Sequence, residues 1–255
     1  MISILLFCSI QALTFAWEQD VKYFRVDDLG YVYTLDNSTL VKHDVAGDTL
    51  FVFSQMNVGA PSQLDVSNPL RPMLFYRETG SLLLLDNTLS EQRMLRLWET
   101  GVGLPEWVAS GVNQEFWVYD ALSKEVLRVN ERMAVQARTG YLPASTGREP
   151  KVIGMAERHE QLILADASYG LWVFDRFGSL TKRIPVDNLT YMRAHASGVY
   201  LQTDHGPMWY NYGDIEPQVI ENKGESNLET LTDQQNRRSF YLSEGKLEIV
   251  AQNAE

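Results

Sequence analysis

The sequence predicts an all-β chain folded as a six-bladed β-propeller with four-stranded antiparallel blades. Two observations predict it: a strand-like unit recurs with a period near 40 residues, and no segment shows a convincing helical periodicity. The 255 residues are 45% hydrophobic and 22% charged, which is an ordinary globular composition. Such a chain is long enough to bury a sizeable core.

The repeating unit is an apolar run that ends in an acidic turn residue. In MLFYRET (73 to 79), aromatic and aliphatic side chains suited to a buried strand lead into a polar turn. The acidic residues of the six runs recur at intervals of 38 to 46 residues and are Asp36, Glu78, Asp120, Asp166, Asp204 and Glu244.

Three further strand candidates accompany each run. One of them follows the acidic turn. Another comes after that strand, as TLFVFS (49 to 54) does, and the last precedes the run, as LTYMRA (189 to 194) does. In five repeats the strand after the acidic turn ends in a residue whose side chain can bond the backbone of a tight turn, namely Asp44, Asp86, Asn130, Asp175 and Asn211. Four strands in about 40 residues are typical of a propeller blade.

The chain is interpreted as a signal peptide over residues 1–16 followed by a single domain over 17–255. Residues 2 to 16 are apolar but too short to span a bilayer, and Thr14-Phe15-Ala16 suits a signal peptidase. A buried first strand, an uncleaved anchor and a lipoprotein site at Cys8 are the alternatives. The sixth repeat lacks a fourth strand, so the mature N-terminal strand, around Trp17 to Val21, is expected to close the ring.

Charge and cysteine content exclude several functions. The net charge of −11 makes nucleic acid an improbable partner. Cys8 is the only cysteine and lies in the predicted signal peptide, so a disulfide framework or a thiolate zinc site is not expected. No glycine-rich phosphate loop is present, and no apolar stretch after residue 16 approaches the length of a membrane span. We therefore expect no nucleotide cofactor and no direct membrane span.

Three sets of side chains are candidates for a site. The six acidic residues could surround a cation on one face, although turn chemistry explains them without a ligand. His195, Asp204 and His205 share one repeat and could form a general-base site, but no nucleophile motif accompanies them. The tryptophans at corresponding strand positions are interpreted as packing between blades rather than as sugar platforms, and include Trp117, Trp172 and Trp209.

The stretch DVSNPLRPMLFYRETGSLLLLDNTLSEQ (65 to 92) resembles a segment of secreted, largely uncharacterised six-bladed β-propeller proteins of Bacteroidota. Asn68-Pro69, Leu74-Phe75-Tyr76 and Leu85-Asp86-Asn87 carry the resemblance. It implies an exported protein of the cell envelope, and it supplies no catalytic residues.

These observations favour a non-catalytic protein-interaction scaffold of the periplasm or outer membrane. The protein would be a monomeric subunit within a larger envelope assembly, without a cofactor. One alternative is a hydrolase of the gluconolactonase type, in which a divalent cation near Asp166 and Asp204 activates water. Another is a carbohydrate-binding propeller that uses Trp107 or Trp209.

Overall fold

A computed structural model describes residues 13–16, 23–44, 46–55, 57–220, 231–233, 238–243 and 246–251. The chain divides into two compact units, one formed by Lys22–Lys223 and the other by Met1–Val21 together with Gly224–Glu255. The first described strand, β1 (Leu13–Ala16), belongs to the second unit. No helix among the described residues is long and apolar enough to cross a membrane.

The unit Lys22–Lys223 contains five four-stranded antiparallel sheets, in each of which spatial order follows chain order. Blade 1 comprises β2 (Tyr23–Val26), β3 (Val32–Asp36), β4 (Thr39–His43) and β5 (Thr49–Ser54). Blade 2 comprises β6 (Gln63–Asp65), β7 (Met73–Tyr76), β8 (Ser81–Leu85) and β9 (Glu91–Arg96). Blade 3 comprises β10 (Pro105–Ser110), β11 (Glu115–Asp120), β12 (Glu125–Asn130) and β13 (Val135–Arg138).

Blade 4 comprises β14 (Val152–Arg158), β15 (Gln161–Asp166), β16 (Gly170–Phe174) and β17 (Leu180–Pro185). Blade 5 comprises β18 (Leu189–Ala194), β19 (Gly198–Thr203), β20 (Gly206–Asn211) and β21 (Gln218–Val219). The only helical segments in the described part of this unit are a 3-10 turn, Leu97–Thr100, and a short helix, α1 (Leu142–Thr146). The prediction of a propeller with four-stranded antiparallel blades is confirmed, with five blades rather than six in this unit.

The terminal unit forms one more four-stranded sheet, from β1, β22 (Leu231–Asp233), β23 (Arg238–Ser243) and β24 (Lys246–Ala251). β1 pairs antiparallel with β24, so strands from the two ends of the sequence share a sheet. The expected pairing segment, Trp17 to Val21, lies outside the described residues, and the strand observed is the preceding one. Leu13–Ala16 falls inside the segment interpreted as a signal peptide.

The turn between the third and fourth strands repeats the predicted Asp/Asn chemistry. The Asp175 Oδ1 accepts hydrogen bonds from the Phe177 and Ser179 amides at 2.8 and 2.9 Å. Asn130 accepts from Arg132 and Ala134 in the same pattern. Asp44 and Asp86 do likewise, whereas Asn211 bonds its turn differently, so the prediction is confirmed at four of the five positions.

The hydrophobic core lies between neighbouring blades. Side chains along a strand alternate between two faces, and here each face meets a different neighbour. Phe116 and Val118 of β11 pack with blade 2, whereas Trp117 and Tyr119 of the same strand pack with blade 4. Strands buried on both faces read as continuous apolar runs, which explains a stretch such as Leu82–Leu85.

Candidate functional site: a basic cluster where the first strands end

The five described acidic residues of the repeat lie at the ends of the second strands. Here the second strand connects to the third, and each blade connects to the next; we call this the 2–3 end. Glu78 and Asp204 are exposed, Asp36 is half-buried, and Asp120 and Asp166 are buried. Glu244 lies outside the described residues.

The two buried acidic residues, Asp120 and Asp166, accept hydrogen bonds from the loops around them. Asp120 accepts hydrogen bonds from the amides of Gly103, Leu104 and Leu122 and from the Ser123 hydroxyl. Burial alone would raise the pKa of this carboxyl, but these four hydrogen bonds together bring it below its ordinary value. Asp120 therefore links the segment that arrives from blade 2 to the turn between the second and third strands of blade 3.

Asp166 has the same role in blade 4. It accepts from the Lys151 amide at 2.6 Å and from the Ser168 amide and hydroxyl at 2.8 and 2.6 Å. Within the described residues, no group of three or more His, Cys, Asp or Glu side chains could hold a metal ion. The arrangement at Asp120 and Asp166 is that of loop anchors.

The grouping of His195 with Asp204 and His205 is wrong, because the strand β19 separates them. Asp204 and His205 form an exposed pair, 3.5 Å apart, in the 2–3 turn of blade 5. His195 lies at the opposite end of the same hairpin, where its amide bonds the Gly198 carbonyl. Six residues of extended chain correspond to about 20 Å.

Most of the tryptophans are packing residues, as the sequence indicated. Trp117 and Trp172 are fully buried, and Trp209 is nearly so. The Trp107 indole donates to the Val152 carbonyl of the next blade at 3.1 Å. Within residues 23–220, Trp98 alone among the tryptophans has a largely exposed ring.

A cluster that was not predicted from the sequence lies at the other end of the blades, where first strands connect to second strands. We call this the 1–2 end. Arg158, the last residue of β14 in blade 4, donates to the Ser67 carbonyl of blade 2 and to the Asp28 carboxylate of blade 1, both at 3.3 Å. A side chain of blade 4 that reaches blades 1 and 2 crosses the axis of the unit.

Arg193 makes a second connection of this kind. It lies on β18, the first strand of blade 5, and donates through Nη2 to the Val26 carbonyl of β2 at 2.5 Å. Only 9% of its surface is exposed. Its Nη1 has no hydrogen-bond partner among the described residues.

His195 lies beside both arginines. Its carbonyl accepts from the Tyr212 hydroxyl at 2.8 Å, and its ring packs against Trp209 with ring centres 5.5 Å apart. Burial is the main reason that the pKa of His195 falls well below its ordinary value, and the positive charges of Arg193, Arg158 and Arg25 lower it further. The ring is therefore neutral near pH 7, and its buried Nε2 has no hydrogen-bond partner in the part of the chain that the structure describes.

These residues form a basic cluster, which we define as Arg158, Arg193 and His195. Arg25 lies near it and stacks on the Tyr23 ring with its Cζ 3.9 Å from the ring centre. Burial and the Arg25 charge lower the pKa of Arg193, so this guanidinium is held in an unfavourable environment. The sequence carried one signal of the cluster, a basic residue near the end of the first strand in three repeats.

Comparison with known proteins supports the fold alone. No family model and no curated protein matches the sequence. Among solved structures, virginiamycin B lyase from Staphylococcus aureus is 14% identical with a TM-score of 0.58, and the match covers 90% of this chain and 80% of that one. BBS1N in complex with ARL6DN is 10% identical with a TM-score of 0.58, covering 88% and 76%.

An extracellular domain from B. thetaiotaomicron is 11% identical with a TM-score of 0.57, and the match covers 89% of this chain and 32% of that one. The neighbours are β-propeller proteins, and the chain shares that fold. Propellers host lyases and protein-binding domains alike, so the fold does not specify an activity.

Proposed function

We propose that the protein is a non-catalytic protein-interaction module, exported to the cell envelope as a subunit of a larger assembly. The observation that carries the proposal is a group of exposed apolar side chains at the 2–3 end of blades 2 and 3. Isolated exposed apolar residues are common on soluble proteins, whereas a contiguous group is typical of an interaction surface.

The apolar patch consists of Trp98, Leu104, Leu122 and Tyr141. Trp98 lies in the 3-10 turn that leads from blade 2 to blade 3, and this residue is 55% exposed. Leu104 and Leu122 belong to adjoining loops, since the Ala121 amide donates to the Leu104 carbonyl at 2.9 Å. These two side chains are 50% and 70% exposed.

Tyr141 extends the patch towards blade 4. It precedes α1, whose first residue, Leu142, donates its amide to the Lys124 carbonyl in the 2–3 turn of blade 3 at 2.8 Å. Tryptophan and tyrosine are enriched among the residues that contribute most to protein binding. The neighbour BBS1N, seen in complex with ARL6DN, is consistent with protein binding by a propeller.

The test compares two single substitutions at opposite ends of the blades. Leu122→Asp places a charge in the patch, and Phe177→Asp places one at an equally exposed position in the turn between the third and fourth strands of blade 4. Gentle cross-linking in the native host, followed by quantitative mass spectrometry, measures the stoichiometry of bound proteins. We expect the same envelope proteins with wild type and Phe177→Asp, and at least about tenfold less of them with Leu122→Asp.

A solitary protein in all three samples would overturn the proposal, as would undiminished partners with Leu122→Asp. Because Leu122 and Phe177 are both exposed, we expect neither substitution to change the thermal unfolding midpoint appreciably. That measurement separates loss of binding from loss of folding.

We also infer that the terminal sheet is a sixth four-stranded blade, and that the β1–β24 pairing completes this sheet. The pairing of Leu13–Ala16 with Lys246–Ile249 supports this inference. A signal peptide cleaved after Ala16 would remove that strand, so the two interpretations compete for the same residues.

Intact mass of the exported protein decides between them. A mature N-terminus at or before Leu13 retains β1 and its pairing with β24. A mature N-terminus at Trp17 would rule out Leu13–Ala16 as the pairing strand and leave the following segment as the candidate.

A further inference from the structure

We propose that Arg158, Arg193 and His195 form a binding site for an oxyanion, a carboxylate or a phosphate group, at the 1–2 end of the axis. This site lies at the opposite end of the blades from the apolar patch. It goes beyond the interaction function proposed above and does not depend on it.

The cluster contains buried nitrogen atoms that make no hydrogen bond. Arg193 Nη1 and Arg158 Nε are buried donors, and neither has a hydrogen-bond partner among the described residues. His195 Nε2 is likewise buried and without a partner in this part of the chain, and it donates in the tautomer that carries the proton on this nitrogen. A buried donor without a partner costs about 1–3 kcal/mol, so native proteins rarely leave several of them together. An oxyanion accepts several such bonds at once, and guanidinium groups match carboxylate and phosphate oxygens geometrically.

The buried charge of Arg193 has no counter-charge. An arginine does not give up its proton in proteins, so the buried Arg193 must carry its charge. The groups that bond it, the Val26 carbonyl and the Tyr191 side chain, carry no formal negative charge. Arg158 has the Asp28 carboxylate at 3.3 Å, whereas Arg193 makes no ion pair with any described carboxylate. A bound anion would supply the missing counter-charge.

The side chains of the cluster are held in place by bonds and packing contacts. Arg193 is tied to blade 1 through Val26, and Arg158 is tied to blades 1 and 2 through Asp28 and Ser67. His195 is fixed by its contacts with Trp209 and Tyr212. Side chains fixed before a ligand arrives lose little conformational entropy on binding, which favours affinity.

The net charge of −11 does not oppose such a site. Surface charges are screened beyond about 8 Å at physiological salt, whereas groups in a buried site act at contact distance. The site is therefore expected to select small anions or single anionic groups rather than extended polyanions.

The experiment uses the full chain and two probes, inorganic phosphate and acetate, titrated by calorimetry with chloride at equal ionic strength as the reference. Arg158→Gln is the main variant, because Arg158 is less deeply buried than Arg193 and its loss threatens folding less. Arg138→Gln is the matched control, since Arg138 is an exposed arginine in a single ion pair with Glu125 at 2.6 Å.

We expect at least one oxyanion to bind wild type and Arg138→Gln equally, and to bind Arg158→Gln about 10- to 100-fold more weakly. Stronger binding of phosphate would identify a phosphoryl ligand, and stronger binding of acetate a carboxylate ligand. Equal responses to chloride and both oxyanions, or equal affinity in Arg158→Gln and Arg138→Gln, would overturn the proposal. The arginine Nε–Hε resonances of wild type provide a second readout, because contact with the anion should shift the Arg158 or Arg193 signal.

Discussion

The Glu157 carboxylate accepts a hydrogen bond from the indole of Trp117, which lies 40 residues earlier in the preceding blade. The same carboxylate accepts from the Val112 amide at 3.1 Å. Both side chains are buried, so one residue of blade 4 satisfies two donors of blade 3. Similar bonds join other neighbouring blades, such as that from Gln63 to the Val108 carbonyl at 2.8 Å.

Glu157→Ala should therefore be strongly destabilising. It leaves the buried Trp117 indole and the half-buried Val112 amide without an acceptor, and we expect the free energy of unfolding in urea to fall by about 2–4 kcal/mol. Glu157→Gln keeps one acceptor oxygen and should cost less. Equal stability of Glu157→Ala and wild type would contradict the importance of this contact, and Trp117→Phe should reduce the cost of Glu157→Ala if the two residues are coupled.

Substitutions of Asp175 test the hydrogen bonds of its turn, and the equivalent turn at Asn130 shows which substitution should be tolerated. Asp175→Ala removes two hydrogen bonds to the turn amides and should lower the free energy of unfolding by about 1–2 kcal/mol. Asp175→Asn should cost much less, because Asn130 makes the same pair of bonds in blade 3. Urea unfolding of the two variants measures the difference, and equal losses would show that charge rather than the hydrogen bonds matters at this position.

The lowered pKa of Asp120 predicts that the free energy of unfolding decreases at acid pH. Because its pKa in the folded protein lies below the ordinary value of 3.8, the unfolded chain binds more protons than the folded one between the two values. The stabilisation by Asp120 is therefore complete well above pH 3.8 and is lost as the pH falls through the folded-state pKa. We expect Asp120→Asn to show a shallower loss of unfolding free energy from neutral pH down to about pH 2. Parallel profiles would contradict this assignment.

His195 predicts a second pH dependence, at a higher pH. Its folded-state pKa lies well below 6.5, so the unfolded chain takes up a proton first as the pH falls. Stability should decline as the pH drops below 6.5, and His195→Asn should reduce that slope in a chloride buffer free of oxyanions. Some slope should remain, because burial also lowers the pKa of His43. Identical slopes in the variant and wild type would contradict the prediction.

Strand positions could be predicted from the sequence wherever a strand has its own local signal. The predicted runs TLFVFS and LTYMRA coincide with β5 and β18; four of the six residues of the first are β-branched or aromatic, and the second contains Thr190 and Tyr191. The turn residues Asp44, Asp86 and Asp175 could also be predicted from the sequence, because their side chains bond amides only two and four residues away. The short helix α1 has no helical periodicity to reveal it, since five residues make little more than one turn.

The sequence by itself determined the period, the number of strands in each blade and the chemistry of the turns, because these depend on neighbours a few residues apart. Only the tertiary structure decided which side chains meet at the axis. Arg158 lies 130 residues from Asp28, and Arg193 lies 167 residues from Val26. No local pattern encodes such pairs, since they form only when separate blades pack side by side and bring the ends of their first strands together.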